Sequence, residues 1–490
     1  MSKKSTNNSR RQFLKSSMVA AAGFTIVPRH VLGGNGYIAP SDKLNLGAIG
    51  AGGKGFTDIK NAWNEGAENV VAVCDIDLNR AKGALELFEN VKYYDDFREM
   101  LDQENLDGVT IGTPDHTHAV AAADAMNRGV HVYVEKPLTH NIKEARFLTE
   151  LAREKKIVTQ MGNQGASNPG IKQMDEWWEK KLIGNVSEAY IWTDRPVWPQ
   201  GIPVPPAGAR RPGHINDKQW DLFIGPAEYV DYDPLYHPFK WRGWWNFGTG
   251  ALGDMGCHLI DPAYRVLGLG YPSEVECSVG QVFLKDWVPE YIPKGCPPSS
   301  TVRLKFPASE RNASEVTMTW TDGGIRPFHP DVVPASEALG ESNSSNGMML
   351  VGEKGVLMSK TYGREPKIYL NSGEVLEMPK DYTTGRDTMN LPDFGHPVNW
   401  TRAVKAGYGS AEHKDLTSSF DYAGPLTETV LMGNLAIRSY QYGESPDNRG
   451  RLSFPGRKSL LWDGESMQIT NYEAANQFVG REYREGWTLG

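Results

Sequence analysis

From residue 43 onward the apolar positions come in short runs separated by polar, helix-compatible stretches. Residues 43–50 (Lys-Leu-Asn-Leu-Gly-Ala-Ile-Gly) form a short apolar run that ends in glycines, as a buried parallel strand does. A helix is predicted over 56–64 and a second strand, Asn-Val-Val-Ala-Val-Cys, over 69–74. Further strands follow at 91–94, 107–113, 131–135 and 157–161, with helical stretches at 97–101, 113–128 and 142–155 between them. Alternation of this kind predicts a doubly wound parallel sheet, with ligands at the carboxyl ends of its strands. Gly50, Asp75, Thr113, Glu135 and Asn163 all fall at such ends.

The pattern then changes. A helix over 170–182, with Trp177 and Trp178 as core, leads to a strand at 186–193. The stretch 192–245 is rich in Trp, Pro and Gly and shows neither period. A glycine-punctuated helix opens at Gly250. Strand-like runs at 274–282, 301–306, 315–320, 348–351, 355–359 and 367–370 predict an open, largely antiparallel sheet. The helix at 426–440 is expected to cover it, the polar segment 327–346 to serve as a lid, and 472–487 to wrap as an arm on the protein or a neighbour. The fold class is α/β: a signal and linker at 1–40, a Rossmann domain at 41–165, and an α/β domain at 166–490.

Composition narrows the classes. With 490 residues, 39% hydrophobic and 23% charged, the chain has length for two or three globular domains. A formal net charge of −8 argues against a general nucleic-acid binder. No apolar stretch has the length of a membrane span. Cys74, Cys257, Cys277 and Cys296 have no zinc or redox spacing, and no metal is expected. At the start, Ser9-Arg10-Arg11-Gln12-Phe13-Leu14-Lys15 precedes a mild apolar run at 18–27, which is similar to a twin-arginine export signal. The expectation is a periplasmic protein handled by the twin-arginine translocase in folded form.

The loop Gly50-Ala-Gly52-Gly53-Lys-Gly55 sits between a strand and a helix, the context that makes Gly-x-Gly-x-x-Gly a dinucleotide signal. Asp75 closes the second strand where a carboxylate grips ribose hydroxyls and repels a 2′-phosphate, which favours NAD over NADP; Arg80 moderates the preference. Thr113, Pro114 and His118 read as a cofactor-touching loop and helix turn, although His116 and His118 also suit a metal. On the helix from Gly250, Asp254, His258 and Asp261 share one stripe. That stripe fits a carboxylate-oriented general base, a metal site or a solvated face, and Gly253 and Gly256 leave room for a close surface or a ligand. Trp241 and Arg242 are the candidates for sugar contact in the Trp-rich stretch.

The glycine loop, the Glu135-Lys136-Pro137 turn and the 250–261 segment, in that order, resemble the Gfo/Idh/MocA oxidoreductases. The resemblance runs over nearly the whole chain after the signal. It implies that Lys136 bonds the substrate beside the nicotinamide and that Asp254 and His258 form the acid/base pair. Gly50, Gly52, Gly55, Asp75 and Glu135 hold the dinucleotide on this reading, and Asp261 is a substrate or structural contact. It further implies a carbohydrate substrate and a homo-oligomer, dimer or tetramer. Met161-Gly-Asn163-Gln164 departs from the aromatic-and-arginine sequence of many members, and together with the Trp-rich stretch and the signal it looks like an exported bacterial branch. The expected activity is NAD-dependent oxidation at a sugar, polyol or glycoside hydroxyl. The alternatives are a glycosidase that retains NAD through oxidation, elimination and re-reduction, and a non-catalytic sugar-binding protein.

Overall fold

The computed structural model describes residues 42–379, 392–444 and 451–490, so the expected signal at 1–40 lies outside the described residues. Six strands form the first sheet: β1 (Asn45–Ile49), β2 (Asn69–Cys74), β3 (Lys92–Tyr94), β4 (Gly108–Ile111), β5 (His131–Val134) and β6 (Thr159–Met161). Their spatial order is β3-β2-β1-β4-β5-β6 and every pairing is parallel. The order reverses between β1 and β4, and at such a switch point the strand ends leave a crevice.

The helices between them are α1 (Lys54–Trp63), α2 (Leu78–Leu87), α3 (Phe97–Gln103), α4 (Asp115–Asn127) and α5 (Ile142–Lys155). Helix α4 is built on Ala119, Ala121, Ala122, Ala123 and Ala125, small enough to be buried almost all round. Helix α2 escaped the pattern reading because only Ala81 and Ala84 are buried on it; its start is fixed by Asp77, whose side chain accepts from the Asn79 N–H.

The second half continues with α6 (Pro169–Glu179), β7 (Val186–Thr193), α7 (Asp217–Ile224), α8 (Gly250–Leu259) and α9 (Asp261–Leu267). Then come β8 (Glu274–Val279), the small hairpin β9 (Phe283–Lys285) and β10 (Val288–Pro289), β11 (Ser300–Phe306) and β12 (Val316–Thr321). They are followed by β13 (Asn346–Gly352), β14 (Gly355–Ser359), β15 (Lys367–Leu370) and β16 (Val375–Glu377). After α10 (His396–Ala406), α11 (Ala411–Lys414) and α12 (Phe420–Gln441), β17 (Leu460–Asp463) and β18 (Gln468–Ile469) end the series. Ten strands make the large sheet, in the order β16-β15-β14-β13-β7-β12-β11-β8-β17-β18. All its pairings are antiparallel except β7 with β12.

Strand alternation sorts the two faces of this sheet. Met348 and Leu350 of β13 face the helices, while Met349 turns to the other side with Trp192, Val356 and Met358. Val333 and Leu339, from the segment expected as a lid, are buried in that second cluster. The segment is therefore an anchored cover on the sheet's outer face. On the helical side, α8 and α12 pack closely: a Cβ on Gly256 would lie 2.9 Å from Val430, and one on Gly433 2.4 Å from Leu252. Of the two uses for Gly256 read from the sequence, the close surface is the one present.

Two segments cross back to the first sheet. His396 accepts from Gln160 Nε2 through its carbonyl (3.0 Å), its own Nε2 faces the Met161 carbonyl (2.8 Å), and Trp400 packs on Tyr133. A helix from deep in 166–490 thus completes a sheet made within 41–165. The tail also returns: the Lys143 N–H donates to the Val479 carbonyl at 3.0 Å, and Arg481 and Tyr483 both reach Glu144 on α5. The arm lies on its own chain.

The Trp-rich stretch is not an open loop. It contains α7, whose start is closed by a capping box of Asn216 and Gln219. Trp220 stacks on Phe223 at 4.8 Å and Tyr236 meets Trp244 edge-on at 5.0 Å. With Ile215, Ile224 and Phe247 they form a core of their own, so Trp220 and Trp244 build structure.

Candidate active site

Close approach of backbones dictates the glycines at the crevice. Gly50 has φ +83° and its missing Cβ would sit 2.7 Å from the Gly112 carbonyl carbon; a Cβ on Gly55 would lie 2.0 Å from the Gly50 oxygen. Gly53 leads into α1 with φ +58° and no side chain capping the helix, which leaves the first N–H groups for an anion. Asp75 fastens this turn: its Oδ2 accepts the Ala51 N–H and its Oδ1 the Asp77 N–H, both at 3.0 Å. Burial raises the Asp75 pKa to about 6, against the pull of those backbone donors and of Arg80.

Above these residues lies a cleft of about 340 Å³ lined by Gly50, Gly52, Gly53, Asp75, Thr113 and Pro114. Trp241 and Arg242 close one side of it. The cleft has walls that the sequence reading missed: Lys54, Phe97, His237 and Phe239 line it, and Trp487 comes in from the tail. Trp487 lies 6.1 Å from Phe97 between ring centroids, and Arg98 sits 4.5 Å from its ring centre. The glycine turn, the uncapped helix and the carboxylate together fit a dinucleotide.

Arg242 connects this cleft to the reactive cluster. Its Nε lies 3.2 Å from Asp254 Oδ1, and Lys136 Nζ donates to the same oxygen at 3.0 Å and to the Asp254 carbonyl at 2.8 Å. Burial alone would raise the Asp254 pKa, yet Lys136 and Arg242 hold it far below the usual carboxylate range. Lys136 is pushed down by burial, but Asp254 and Glu135 outweigh that and keep it charged. His258 is buried, and burial together with Lys136 depresses its pKa well below the ordinary value, so it is neutral. Its Nδ1 has no hydrogen-bond partner. Asp254 does not bond His258, as the helical spacing suggested; its carboxylate is taken by the two cations.

Other expected site residues have structural partners. His118 does not line the cleft: its Nδ1 faces the Pro137 carbonyl (2.9 Å) and its Nε2 the Thr113 carbonyl (2.8 Å), tying the Thr113 and Lys136 turns together. His116 likewise faces the Phe247 and Phe223 carbonyls, and burial lowers its pKa to about 3. Asn163 donates to Asp261 Oδ2 at 3.2 Å, and Asp261 also accepts from Arg265 and the Tyr422 hydroxyl. Three donors from three elements make Asp261 a buried fastener away from the cleft. Glu135 approaches Lys54 Nζ at 3.5 Å, and Lys54 also pairs with Asp58 and Asp393. The only sequence signal for that link was a lysine inside the glycine loop.

Such a fold and site define a two-domain nucleotide-binding protein. Residues 44–163 match the Gfo/Idh/MocA description "Oxidoreductase family, NAD-binding Rossmann fold", and residues 210–283 match that family's C-terminal alpha/beta domain. Both matches are to domain descriptions of Gfo/Idh/MocA oxidoreductases, the first of them an NAD-binding Rossmann fold. The chain is 26% identical to levoglucosan dehydrogenase of Pseudarthrobacter phenanthrenivorans over 258 residues, 50% of this chain and 55% of that protein. It is 30% identical to glycosyl hydrolase family 109 protein 1 of Shewanella sp. (strain MR-4) over 174 residues, 30% of this chain and 37% of that protein. These matches span about half or less of the relatives' length. In fold it is similar to an inositol dehydrogenase homologue of Azotobacter vinelandii complexed with NADH and myo-inositol, with TM-score 0.55 and 18% identity, covering 79% of this chain and 93% of that one.

Proposed function

We propose that this protein is an NAD-dependent oxidoreductase acting on a CH–OH group of a sugar, polyol or glycoside. The observation that carries the reading is the buried Lys136–Asp254–Arg242 cluster beside a neutral His258 with a free Nδ1. The nicotinamide, when bound, supplies hydride transfer. Two of the three Lys136 donors are engaged by Asp254, and the third is available to a substrate oxygen. Lys136 and Arg242 bring two positive charges to the place where an alkoxide develops, which stabilises it. His258 Nδ1 takes the hydroxyl proton. Asp254 acts by holding Lys136 and Arg242 in place. The substrate class is carbohydrate, in line with the levoglucosan and myo-inositol in the names of the relatives.

A second reading shares the same residues: transient oxidation of a glycoside, elimination and re-reduction, with the nucleotide never leaving. The walls over the cleft from the Trp-rich stretch and the tail favour a retained nucleotide, and the glycosyl hydrolase relative is in keeping with it. We further propose that Arg10 and Arg11 direct export of the folded, loaded protein to the periplasm, and that the functional form is a homo-oligomer.

Purified protein, with its nucleotide released by denaturation and identified as NAD, is assayed without added cofactor. Many turnovers on an oxidisable sugar paired with a keto-sugar support the oxidoreductase, and many on aryl glycosides the hydrolase. Turnover that stops after one cycle and resumes with added NAD means a dissociating dehydrogenase. His258→Ala is expected to lower turnover by about 10²–10⁴-fold with nucleotide content unchanged; unaltered turnover would remove His258 from the reaction.

A further inference from the structure

A second cavity, of about 260 Å³, lies on the far side of the Trp-rich stretch and shares no lining residue with the nucleotide cleft. Its wall includes Trp244, Trp245, Lys294, Arg438, Arg481 and His140. It opens beside Val204, which is 39% exposed. A smaller neighbouring pocket shares His140, Trp245 and Arg438 with it and is lined also by Thr249 and Asn434.

Among the described residues, not every cation in it has an ion-pair partner. Lys294 is paired with Glu228 at 2.8 Å, and Arg481 is paired with Glu144 at 2.8 Å, leaving Arg481 Nη1 buried without a partner. Arg438 faces no carboxylate among the described residues: its contacts are the Phe478 ring at 4.4 Å and the Trp245 ring at 5.9 Å. Burial, with Arg481 nearby, brings the Arg438 pKa down to about 10, the response of a cation without a counter-ion. His140 is 9% exposed, lies against the Trp245 backbone, and neither of its ring nitrogens finds a hydrogen-bond partner. The Asn434 side-chain oxygen is also unsatisfied, although its amide donates to the Thr249 carbonyl at 2.9 Å. Buried polar groups are ordinarily satisfied, and a buried guanidinium without an anion is costly. The open donors on Arg438 and Arg481 point to a missing partner that accepts, and the open Asn434 oxygen is met by a partner that also carries a hydroxyl.

We propose that this cavity binds a small organic carboxylate, such as a sugar acid, with its carboxylate on Arg438 and its body towards the open mouth beside Val204. A planar guanidinium takes a carboxylate through two parallel hydrogen bonds. One unpaired cation matches a monoanion, and the exposed Glu228 and Glu482 at the wall disfavour a phosphate dianion. Trp244 and Trp245, 1% and 6% exposed, form the closed inner wall, so the body of the ligand lies towards the mouth beside Val204. The volume suits a single monosaccharide and not a dinucleotide.

The test uses the full protein with its nucleotide, titrated with D-glucuronate, with D-glucose as the neutral control and potassium chloride at equal ionic strength. Binding by calorimetry at millimolar concentration or tighter, with a rise in Tm, is expected for glucuronate alone. Arg438→Met is expected to abolish both, with NAD content unchanged. Arg438→Lys, which keeps the charge and loses the planar fork, is expected to weaken binding by about tenfold and serves if the methionine variant does not fold. Equal binding by the variants and the parent, or no response to glucuronate, would overturn the proposal. So would a Tm that rises with protein concentration and ignores the anion, because the cavity mouth would then be a contact between copies.

Discussion

Asp75 has two duties that conflict. It anchors the glycine turn through the Ala51 and Asp77 N–H groups, and it lines the cleft where it is proposed to meet the ribose hydroxyls. Its pKa is raised to about 6, so below that pH it gains a proton and loses acceptor strength. NAD affinity is therefore expected to fall as pH drops from 7.5 towards 5, and in Asp75→Asn to stay level over the same window. At pH 7.5 Asp75→Ala is expected to weaken NAD by about tenfold or more and NADP by less, because the carboxylate repels a 2′-phosphate. Equal losses in a fluorescence titration would remove Asp75 from the ribose. Its place at the cleft was legible because a strand end carries that information. His118, Asn163 and Asp261 were misread for a related reason: spacing places a side chain near a site and says nothing of which way it turns. Their partners, Pro137, Asp261 and Tyr422, come from turns and helices that only the folded chain brings together. The Asp254 stripe shows the same limit. Helical spacing put His258 within reach, and the stronger claim of Lys136 and Arg242 on the carboxylate came from two other elements.

Among the elements, those with a clean period were legible: β2, β7, β14, β15 and α5 lie where the apolar pattern places them. Those with a thin buried stripe or a compositional disguise were not. Helix α7 hides in a Trp- and Pro-rich stretch, and α10 lies far along the chain from the sheet it covers. The tail is the element with the sharpest functional consequence. Arg484 Nε donates to the Gly225 carbonyl at 3.0 Å and Arg481 grips Glu144, and these bonds present Trp487 to the cleft wall. Stacking of an aromatic ring on a base is worth about 1–3 kcal/mol. Trp487→Ala is therefore expected to speed NAD release by roughly five- to hundredfold, read by rapid filtration, with little change in Tm. Release at the parent's rate would mean that Trp487 lines the cleft without holding the nucleotide.

At the scale of the whole molecule, an acidic chain with a formal charge of −8 has two adjacent arginine pairs, at 210 and 211 and at 10 and 11, and the second of these precedes the mild apolar run at 18–27. Changing Arg10 and Arg11 to Lys is expected to leave folded, nucleotide-loaded protein in the cytoplasm, scored by fractionation and bound NAD. Normal appearance in the periplasm would assign export to the general secretory route. Assembly has an order in time as well as a destination. Trp487 is translated more than four hundred residues after Gly50, yet both wall the same cleft. Until residue 487 has been made the cleft lacks that wall. If the nucleotide is retained, as proposed, lasting capture is expected only once synthesis has passed residue 487 and the arm has docked on α5. The cofactor is drawn from the pool of whichever compartment the chain occupies at that moment.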